Sequence, residues 1–149
     1  MPKLCIVPMQ HQHLNALAEL EQICFSHPWS YRALAEELSN RSACFLTALF
    51  DNKVAGYLGA HIAVGECYID NIAVFPQFRG QGIAQQLILA LIGQIKKQNG
   101  EFVSLEVRES NFPAIHVYEK AGFQKMGIRK NFYRDPPENA VIMTYFLKE

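Results

Sequence analysis

The sequence predicts an α/β domain, with a mixed, mostly antiparallel sheet of about seven strands flanked by four helices. Three β-branched segments between Cys44 and Val74 are joined by short connections, which is typical of an antiparallel meander. A helical segment of clear 3.6-residue period then separates two strand-like segments. Such a strand–helix–strand unit joins parallel strands. Two further strand-like segments end the chain and predict a final antiparallel pair.

The N-terminal part predicts one strand and two helices. Leu4 to Val7 reads as a short strand closed by Pro8, and residues 11–25 read as the first helix. Pro28 breaks that helix, and Ser30 is placed to cap the second one. The apolar positions expected to face the core in these two helices are Leu14, Leu17, Ala18, Leu20, Ile23, Leu34 and Leu38.

The middle of the chain predicts the three strands of the meander and then the third helix. The strands are expected at residues 44–50, 54–64 and 67–74. The third helix begins at Ala84 and ends at Asn99-Gly100, where a positive φ is easily adopted. Its apolar stripe is formed by Ala84, Leu87, Ile88, Leu91, Ile92 and Ile95.

The C-terminal part predicts a fifth strand, a fourth helix and the closing strand pair. Residues 102–107 alternate in polarity, and Asn111 and Gly122 are expected to begin and end the helix. The last two strands are expected at residues 123–132 and 140–147. The polar, proline-rich stretch from Tyr133 to Asn139 between them is predicted to be a surface loop near the functional site.

Composition narrows the class of protein. The 149 residues, half of them hydrophobic, suit a single domain over residues 1–149. Lys+Arg and Asp+Glu are both 14, so the basic excess of a nucleic-acid-binding protein is missing. We find neither a signal peptide nor an apolar run of the roughly 18 residues that cross a membrane, and we expect a cytoplasmic protein that does not bind membranes. The four cysteines lack metal-ligand spacing, so we expect reduced thiols and no metal.

The stretch that carries chemistry lies where the third strand meets the third helix. Gly80 and Gly82 occupy a turn that opens the helix, and free N–H groups at a helix start bind phosphate. The turn lacks the Lys-Ser/Thr of a Walker loop and the third glycine of a dinucleotide fingerprint. The glycines alone leave open an ordinary αβ corner without a ligand.

The pattern Arg79-x-x-Gly82-x-Ala84 after Asn71-Ile72-Ala73-Val74 resembles the acetyl-coenzyme A loop of the GNAT N-acetyltransferases. The resemblance covers nearly the whole chain and implies that acetyl-CoA is the co-substrate. It also implies that the two parallel strands splay apart to admit the thioester. The implied coenzyme contacts are Ile72, Ala73 and Val74 with the pantetheine arm, and Arg79, Gly80, Gln81, Gly82, Ile83, Ala84 and Gln85 with the pyrophosphate.

Two longer stretches resemble the RimI branch of that superfamily, the ribosomal-protein alanine N-acetyltransferases. They are Leu105-Glu106-Val107-Arg108-Glu109-Ser110-Asn111 and the helix that follows it up to Gly122-Phe123. The resemblance implies that Glu106 is the general base, that Tyr118 is the general acid toward the coenzyme sulfur, and that Asn111 contacts the coenzyme. Pro28-Trp29-Ser30 and Arg129-Lys130-Asn131-Phe132-Tyr133 also resemble segments of that branch, with Phe132 departing from its tyrosine.

The acceptor expected from this resemblance is a protein N-terminus, namely the N-terminal alanine of a small-subunit ribosomal protein. The substrate-binding candidates are Trp29, Asp70, Asn131 and Tyr133, and Asp135 and Glu138 could add negative charge for a basic acceptor. A small-molecule amine or a lysine side chain remains as an alternative acceptor. A non-catalytic coenzyme-binding regulator is the alternative from another class.

Each side chain also has a structural interpretation on the residues alone. Glu106 could be a solvent-facing strand residue, Tyr118 a core tyrosine, and Asn111 a helix cap and nothing more. Trp29 could simply cover the first two helices.

Overall fold

The computed structural model describes residues 3–148. Within that range the chain forms seven strands and four α-helices. The strands are β1 Leu4–Pro8, β2 Ala43–Phe50, β3 Lys53–Ala63, β4 Glu66–Val74, β5 Phe102–Arg108, β6 Gln124–Arg134 and β7 Pro137–Phe146. The helices are α1 Leu14–Cys24, α2 Tyr31–Glu37, α3 Ile83–Lys97 and α4 Phe112–Ala121, and short 3-10 turns lie at His11–His13 and Pro76–Phe78.

The seven strands form one sheet in the order β1-β2-β3-β4-β5-β7-β6. Strands β4 and β5, which α3 connects, are parallel, and the other five neighbouring pairs of the described sheet are antiparallel. The predicted fold class is therefore confirmed, including the antiparallel meander and the central parallel pair.

Each face of the sheet is covered by a different pair of helices. Alternate residues of a strand point to opposite faces, so Cys44, Leu46 and Ala48 of β2 pack in the core beneath α3 and α4. Phe45 instead joins the second core cluster, beneath α1 and α2. The α3 stripe is buried as predicted from Leu87 onward, with Ile83 completing its first turn.

The buried face of α1 agrees with its predicted apolar pattern at Leu14, Leu17 and Leu20 but differs toward the C-terminal end. Ile23 is 51% exposed, whereas Glu21 is fully buried. The α-helix starts at Leu14, after a 3-10 turn, and its buried positions then fall at Leu14, Leu17, Leu20 and Glu21. Leu38 was also expected inside, but it lies just beyond the last helical residue of α2 and is 40% exposed.

The bounds predicted for the surface loop from Tyr133 to Asn139 are wrong. Strand β6 runs to Arg134 and β7 starts at Pro137, so only Asp135 and Pro136 form the turn. Contacts with the end of β5 hold this hairpin. Arg108 donates hydrogen bonds to the carbonyls of Pro136 at 2.8 Å and Asp135 at 3.1 Å, and the Ser110 amide donates to Glu138 Oε2 at 2.6 Å. Such tertiary bonds override the turn propensity of the sequence.

Both predicted helix caps are observed. Ser30 Oγ accepts a hydrogen bond from the Ala33 amide, and Asn111 Oδ1 accepts one from the Ala114 amide. Gly122 ends α4 at a φ of +108°. The four cysteines are free thiols, as predicted. Among the described residues, no helix has the length and apolar character needed to cross a membrane.

Candidate active site

A cleft opens in the middle of the sheet where β4 and β5 separate. The two strands pair at Glu66–Phe102, Cys67–Val103 and Tyr68–Ser104, and not beyond these residues in the described sheet. The cleft has a volume of about 840 Å³ and is lined from both sides, by residues 69–72 of β4 and residues 105–108 of β5. The expected separation of the parallel pair is therefore present.

A β-bulge shapes the β4 wall of the cleft. Gly59 of β3 pairs with Asn71 and Ala60 pairs with Ile69, so Asp70 is the extra residue between them. A bulge bends its strand and redirects the local side chain. Here it places Asp70 in the lining of the cleft.

The turn before α3 has the properties of an anion site. Gly80 and Gly82 adopt φ values of +82° and +77°, which L side chains rarely do, and the space beside each α-carbon is open. The first helical hydrogen bond runs from the Gln86 amide to the Gly82 carbonyl. Within the described chain, the N–H groups of residues 80–85 have no recorded acceptor. These residues therefore fit a diphosphate, because several free amides at a helix start converge there.

Arg79 points away from this open turn. Its Nε donates to the Val74 carbonyl at 3.0 Å and its Nη2 lies 3.4 Å from Cys24 Sγ. The guanidinium thus connects the end of β4 to the end of α1. As placed, it fixes the turn rather than reaching an anion directly.

The segment Ile72–Val74 forms the edge of β4 that leads to this turn. On one side it pairs with β3, through Ile72–Leu58, Ala73–Tyr57 and Val74–Gly56. The other side faces the cleft, where β5 has diverged. Main-chain groups along this free edge could hydrogen-bond an extended ligand as an added strand would.

Glu106 lies in the β5 wall of the cleft. It pairs with Ile142 of β7 on the far side, and its side chain is 27% exposed. Its Oε2 forms a long ion pair with Arg129 Nε, at 3.9 Å. Glu106 is thus a partly buried carboxylate in the cleft wall, and its role as general base stays a prediction.

Tyr118 in the middle of α4 and Asn111 at its N-cap line the same cleft as Glu106. Tyr118 is only 6% exposed and its ring packs 5.9 Å from the Phe123 ring, yet the residue also lines the cleft. Burial, and to a smaller extent Tyr133, raises the pKa of Tyr118 well above its ordinary value, so the hydroxyl keeps its proton. Asn111 uses Oδ1 for its cap and reaches the cleft as well.

Three of the four predicted substrate-binding residues line the cleft, namely Trp29, Asp70 and Tyr133. The Arg108 guanidinium lies 4.3 Å above the Tyr133 ring. Burial and the Glu106 charge raise the pKa of Tyr133, and Arg108 acts in the opposite direction.

The fourth predicted residue, Asn131, is outside the cleft lining. It lies in a bulge of β6 at a φ of +56°, and its amide donates to Asn139 Oδ1 at 2.9 Å. This bond uses the backbone amide of Asn131 and not its side chain, so the expected substrate contact of that side chain stays a prediction. The bulge turns β6 so that Tyr133, two residues later, faces the cleft.

A bridge of side chains crosses the cleft between the α1–α2 loop and the β6–β7 turn. Ser26 Oγ donates to the Asp135 carbonyl at 3.3 Å, and His27 Nε2 lies 2.6 Å from Asp135 Oδ2. Arg108 holds the same turn from below, through the carbonyls of Asp135 and Pro136. The bridge thus joins two segments that both line the cleft.

Two polar groups next to the cleft were not found by sequence reasoning. The buried Glu21 carboxylate accepts hydrogen bonds from the Tyr57 hydroxyl, the Asn71 side chain and the Trp29 amide. His61 of β3 bonds Asp70 of β4. Glu21 could have been noticed, because a carboxylate stands on the apolar stripe four residues after Leu17. No pattern marked His61, since it depends on the pairing of β3 with β4.

A known protein family matches most of the chain, including the cleft and the glycine turn before α3. The model of the acetyltransferase (GNAT) family matches residues 14–123. The chain belongs to this family. The fold and activity class expected from the loop and strand motifs are thereby confirmed.

Related GNAT proteins cover almost the full length of this one. The chain is 36% identical, over 99% of its length and 98% of the relative's, to the putative ribosomal protein bS18-alanine N-acetyltransferase of Bacillus subtilis. It is 38% identical to the ribosomal protein bS18-alanine N-acetyltransferase of Haemophilus ducreyi, over 91% of this chain and 95% of the relative.

A solved GNAT structure is similar throughout. The ribosomal-protein-S18-alanine N-acetyltransferase from Escherichia coli superimposes with a TM-score of 0.89 at 30% identity. The superposition covers 99% of this chain and 96% of the other. The acetyltransferase fold described above is therefore shared with a protein of the RimI branch.

Proposed function

We propose that this GNAT protein transfers the acetyl group of acetyl-CoA to the α-amine of a protein N-terminus, with the N-terminal alanine of ribosomal protein bS18 as the acceptor. This acceptor is supported by the similarity of the chain, over nearly its full length, to N-acetyltransferases of the bS18 N-terminal alanine. The observation that carries the chemistry is the cleft between β4 and β5, in which Glu106 and Tyr118 face the same space.

The coenzyme end of the site supports acetyl-CoA as the co-substrate. The amides of residues 80–85 would bind its diphosphate, and the free edge at Ile72–Val74 would hold its pantetheine arm. Asn111, at the start of α4, is placed to contact the same molecule. When bound, acetyl-CoA supplies a thioester whose carbonyl carbon can be attacked by an amine.

Two side chains would move the protons. An α-ammonium has a pKa of about 8, so at neutral pH most of the acceptor amine is protonated. It must lose this proton before its nitrogen can attack the thioester. Glu106 Oε accepts that proton as general base. The Tyr118 hydroxyl, which keeps its own proton because burial raises its pKa, donates to the departing sulfur.

The acceptor side of the cleft supports a chain terminus over an internal lysine. Ser26 and His27 contact Asp135 across the cleft, and Trp29 and Tyr133 narrow it further. A single chain end can pass beneath such a bridge. An internal lysine brings polypeptide on both sides, which the bridge would obstruct.

The test uses two synthetic peptides with the N-terminal sequence of bS18. One has a free N-terminal alanine and an internal lysine, and the other is identical except that its N-terminus is formylated. After incubation with protein and acetyl-CoA, fragment-ion mass spectrometry locates any acetyl group. We expect acetylation of the first peptide at alanine and none of the second.

Acetylation of lysine in both peptides would refute the proposal in favour of a lysine acetyltransferase. Tight coenzyme binding without transfer to peptides or to small amines would instead identify a regulatory module. The same peptides incubated with acetyl-CoA but without the protein serve as the control for non-enzymatic lysine acetylation.

A further inference from the structure

Three ionisable side chains from three different elements form a cluster behind the acceptor end of the cleft. His61 of β3 contacts Asp70 Oδ2 of β4 through Nδ1, and its Nε2 lies 3.0 Å from Glu37 Oε2 of α2. The imidazole is also held by aromatic rings. The Trp29 ring stacks on it, with 6.4 Å between the ring centroids and 22° between the ring planes. The Phe45 ring meets it edge-on, with 5.7 Å between the centroids.

The two carboxylates determine the charge of the imidazole. Burial alone would lower the pKa of His61, but hydrogen bonds and charge interactions with Glu37 and Asp70 outweigh it and raise the pKa above its ordinary value. His61 is therefore more protonated near neutral pH than a free histidine. Both ring nitrogens then donate, one to each carboxylate.

His61 in turn favours ionisation of Asp70. The pKa of Asp70 lies above its ordinary value, because burial and the negative charges of Glu37 and Glu106 raise it by more than His61 lowers it. Around His61, the facing charged groups are Glu37 from α2 and Asp70 from β4, whereas β2 contributes the uncharged Phe45. Glu106 of β5 acts through Asp70, and Arg129 of β6 lies 3.9 Å from Glu106.

One carboxylate oxygen of Asp70 remains available to a ligand. His61 occupies Oδ2, and Oδ1 has no recorded donor among residues 3–148. The side chain is one-third exposed, and the bulge places it in the cleft, on the β4 wall that faces Glu106 of β5. An amine in the cleft would thus meet a carboxylate from each separated strand.

We propose that His61 is a positioning residue for the acceptor, holding Asp70 ionised and oriented so that Asp70 Oδ1 binds the incoming α-ammonium while Glu106 takes its proton. This inference rests on the proposed function. It assigns Asp70 to acceptor binding rather than to coenzyme binding, and it makes acceptor affinity depend on the protonation of His61.

The inference predicts a specific pattern in the kinetics. As the pH rises through the raised pKa of His61, the ring keeps a single N–H and can no longer donate to both Glu37 and Asp70. Loss of the acceptor's own charge also weakens its bond to Asp70, so the peptide KM ratios of both single variants to wild type fall as the α-amine titrates at about pH 8. Titration of His61 brings the His61→Gln ratio to one but leaves the Asp70→Asn ratio above one for as long as the acceptor is charged. The difference between the two ratios therefore isolates the contribution of His61.

The experiment measures KM for an alanine-terminated bS18 peptide and for acetyl-CoA, from about pH 6 to about pH 9, a range that spans histidine and α-amine titration. The proteins are wild type, His61→Gln, Asp70→Asn and the double variant, with His116→Gln on the exposed face of α4 as matched control. At the acidic end, we expect each single variant to raise peptide KM about tenfold, the effect of removing one charge-assisted hydrogen bond.

The KM for acetyl-CoA should stay at the wild-type value, and the double variant should be no worse than Asp70→Asn. The His61→Gln to wild-type ratio should fall toward one at high pH, and His116→Gln should match wild type throughout. A His61→Gln protein with wild-type peptide KM at every pH overturns the inference. So does an equal rise in both KM values, which would indicate a merely structural role.

A second measurement does not depend on activity. The imidazole signal of His61, followed by NMR over the same pH range, should titrate above the ordinary histidine pKa and return toward it in Asp70→Asn. An unchanged pKa in that variant would overturn the inference even if the activity is as proposed. A wild-type protein that acetylates no peptide N-terminus would refute the proposed function, and this inference with it.

Discussion

Replacing Glu106 by glutamine tests the assignment of the general base. Glutamine keeps the size of the side chain and the pairing of β5 with Ile142 of β7. The substitution removes the charge interaction with Arg129, whose Nε is 3.9 Å away and whose side chain is 59% exposed. An exposed pair of this kind contributes less than about 1 kcal/mol, so the melting temperature should barely move.

The expected kinetic effect of Glu106→Gln is large and depends on pH. General-base catalysis contributes about 10²- to 10⁴-fold, so kcat near neutral pH should fall about a hundredfold, with KM for acetyl-CoA unchanged. The variant must rely on amine that is already neutral. With an α-amine pKa of about 8, that fraction rises from about a tenth at pH 7 to about nine-tenths at pH 9, so the variant should regain roughly tenfold.

The assay follows release of the coenzyme thiol with a saturating alanine-terminated peptide. Glu109→Gln is the matched control, because Glu109 is exposed immediately beyond β5. A Glu106→Gln protein that stays within about twofold of wild-type kcat at neutral pH would remove this carboxylate from the mechanism. An equal decrease in Glu109→Gln would show a general electrostatic effect instead.

Three further substitutions test other parts of the site. Tyr118→Phe should lower kcat at least about tenfold without changing the melting temperature, because no hydrogen bond of its hydroxyl is recorded in the described chain and only proton donation is removed; normal kcat would contradict the assignment. Gly82→Ala should weaken coenzyme binding in calorimetry, because a φ of +77° costs an L residue about 1–2 kcal/mol and the turn relieves this strain by leaving the conformation that presents its amides; an unchanged affinity would contradict the amide site. Its control, Gly93→Ala inside α3, should leave coenzyme affinity unchanged and stabilise the fold by about 1 kcal/mol. Glu21→Ala should destabilise by at least about 1–3 kcal/mol in denaturant titration, because Tyr57 and two other donors lose their acceptor; a smaller effect would mean that water replaces the carboxylate.

The best-predicted parts of the molecule were those whose sequence pattern is local. The α3 stripe fixed the direction of its buried face, because six apolar residues at helical spacing leave few alternatives. Ser30 and Asn111 were recognised as caps since their side chains bond amides only three residues away. The turn before α3, with its free backbone amides, was found because glycines directly precede that helix.

The errors occurred where distant parts of the chain decide the structure. The β6–β7 hairpin looked like a loop, because the bonds of Arg108 and Ser110 to it join residues about 28 positions apart. In α1, Glu21 is buried and Ile23 is exposed, and the cost of burying that carboxylate is offset by three donors from β3, β4 and the α1–α2 loop.

The placement of Glu106 and Tyr118 depended on the family resemblance. Strand alternation identified the face that Glu106 shares with Arg108 but not the gap beside it, which exists because β4 and β5 stop pairing after Ser104. His61 was missed for the same kind of reason. Its partners Glu37 and Asp70 are brought together only by the packing of α2 on the sheet and by the β4 bulge.

The two ends of the cleft tolerate sequence change to different degrees. At the α3 end, backbone N–H groups would bind the coenzyme diphosphate, and every residue type except proline carries one. Exchanges at positions such as Gln81 and Gln85 should therefore leave coenzyme affinity intact. At the opposite end, recognition falls to individual side chains on a loop and a hairpin, so a few exchanges there could redirect the protein to new acceptors while its acetyl-donor chemistry is inherited unaltered.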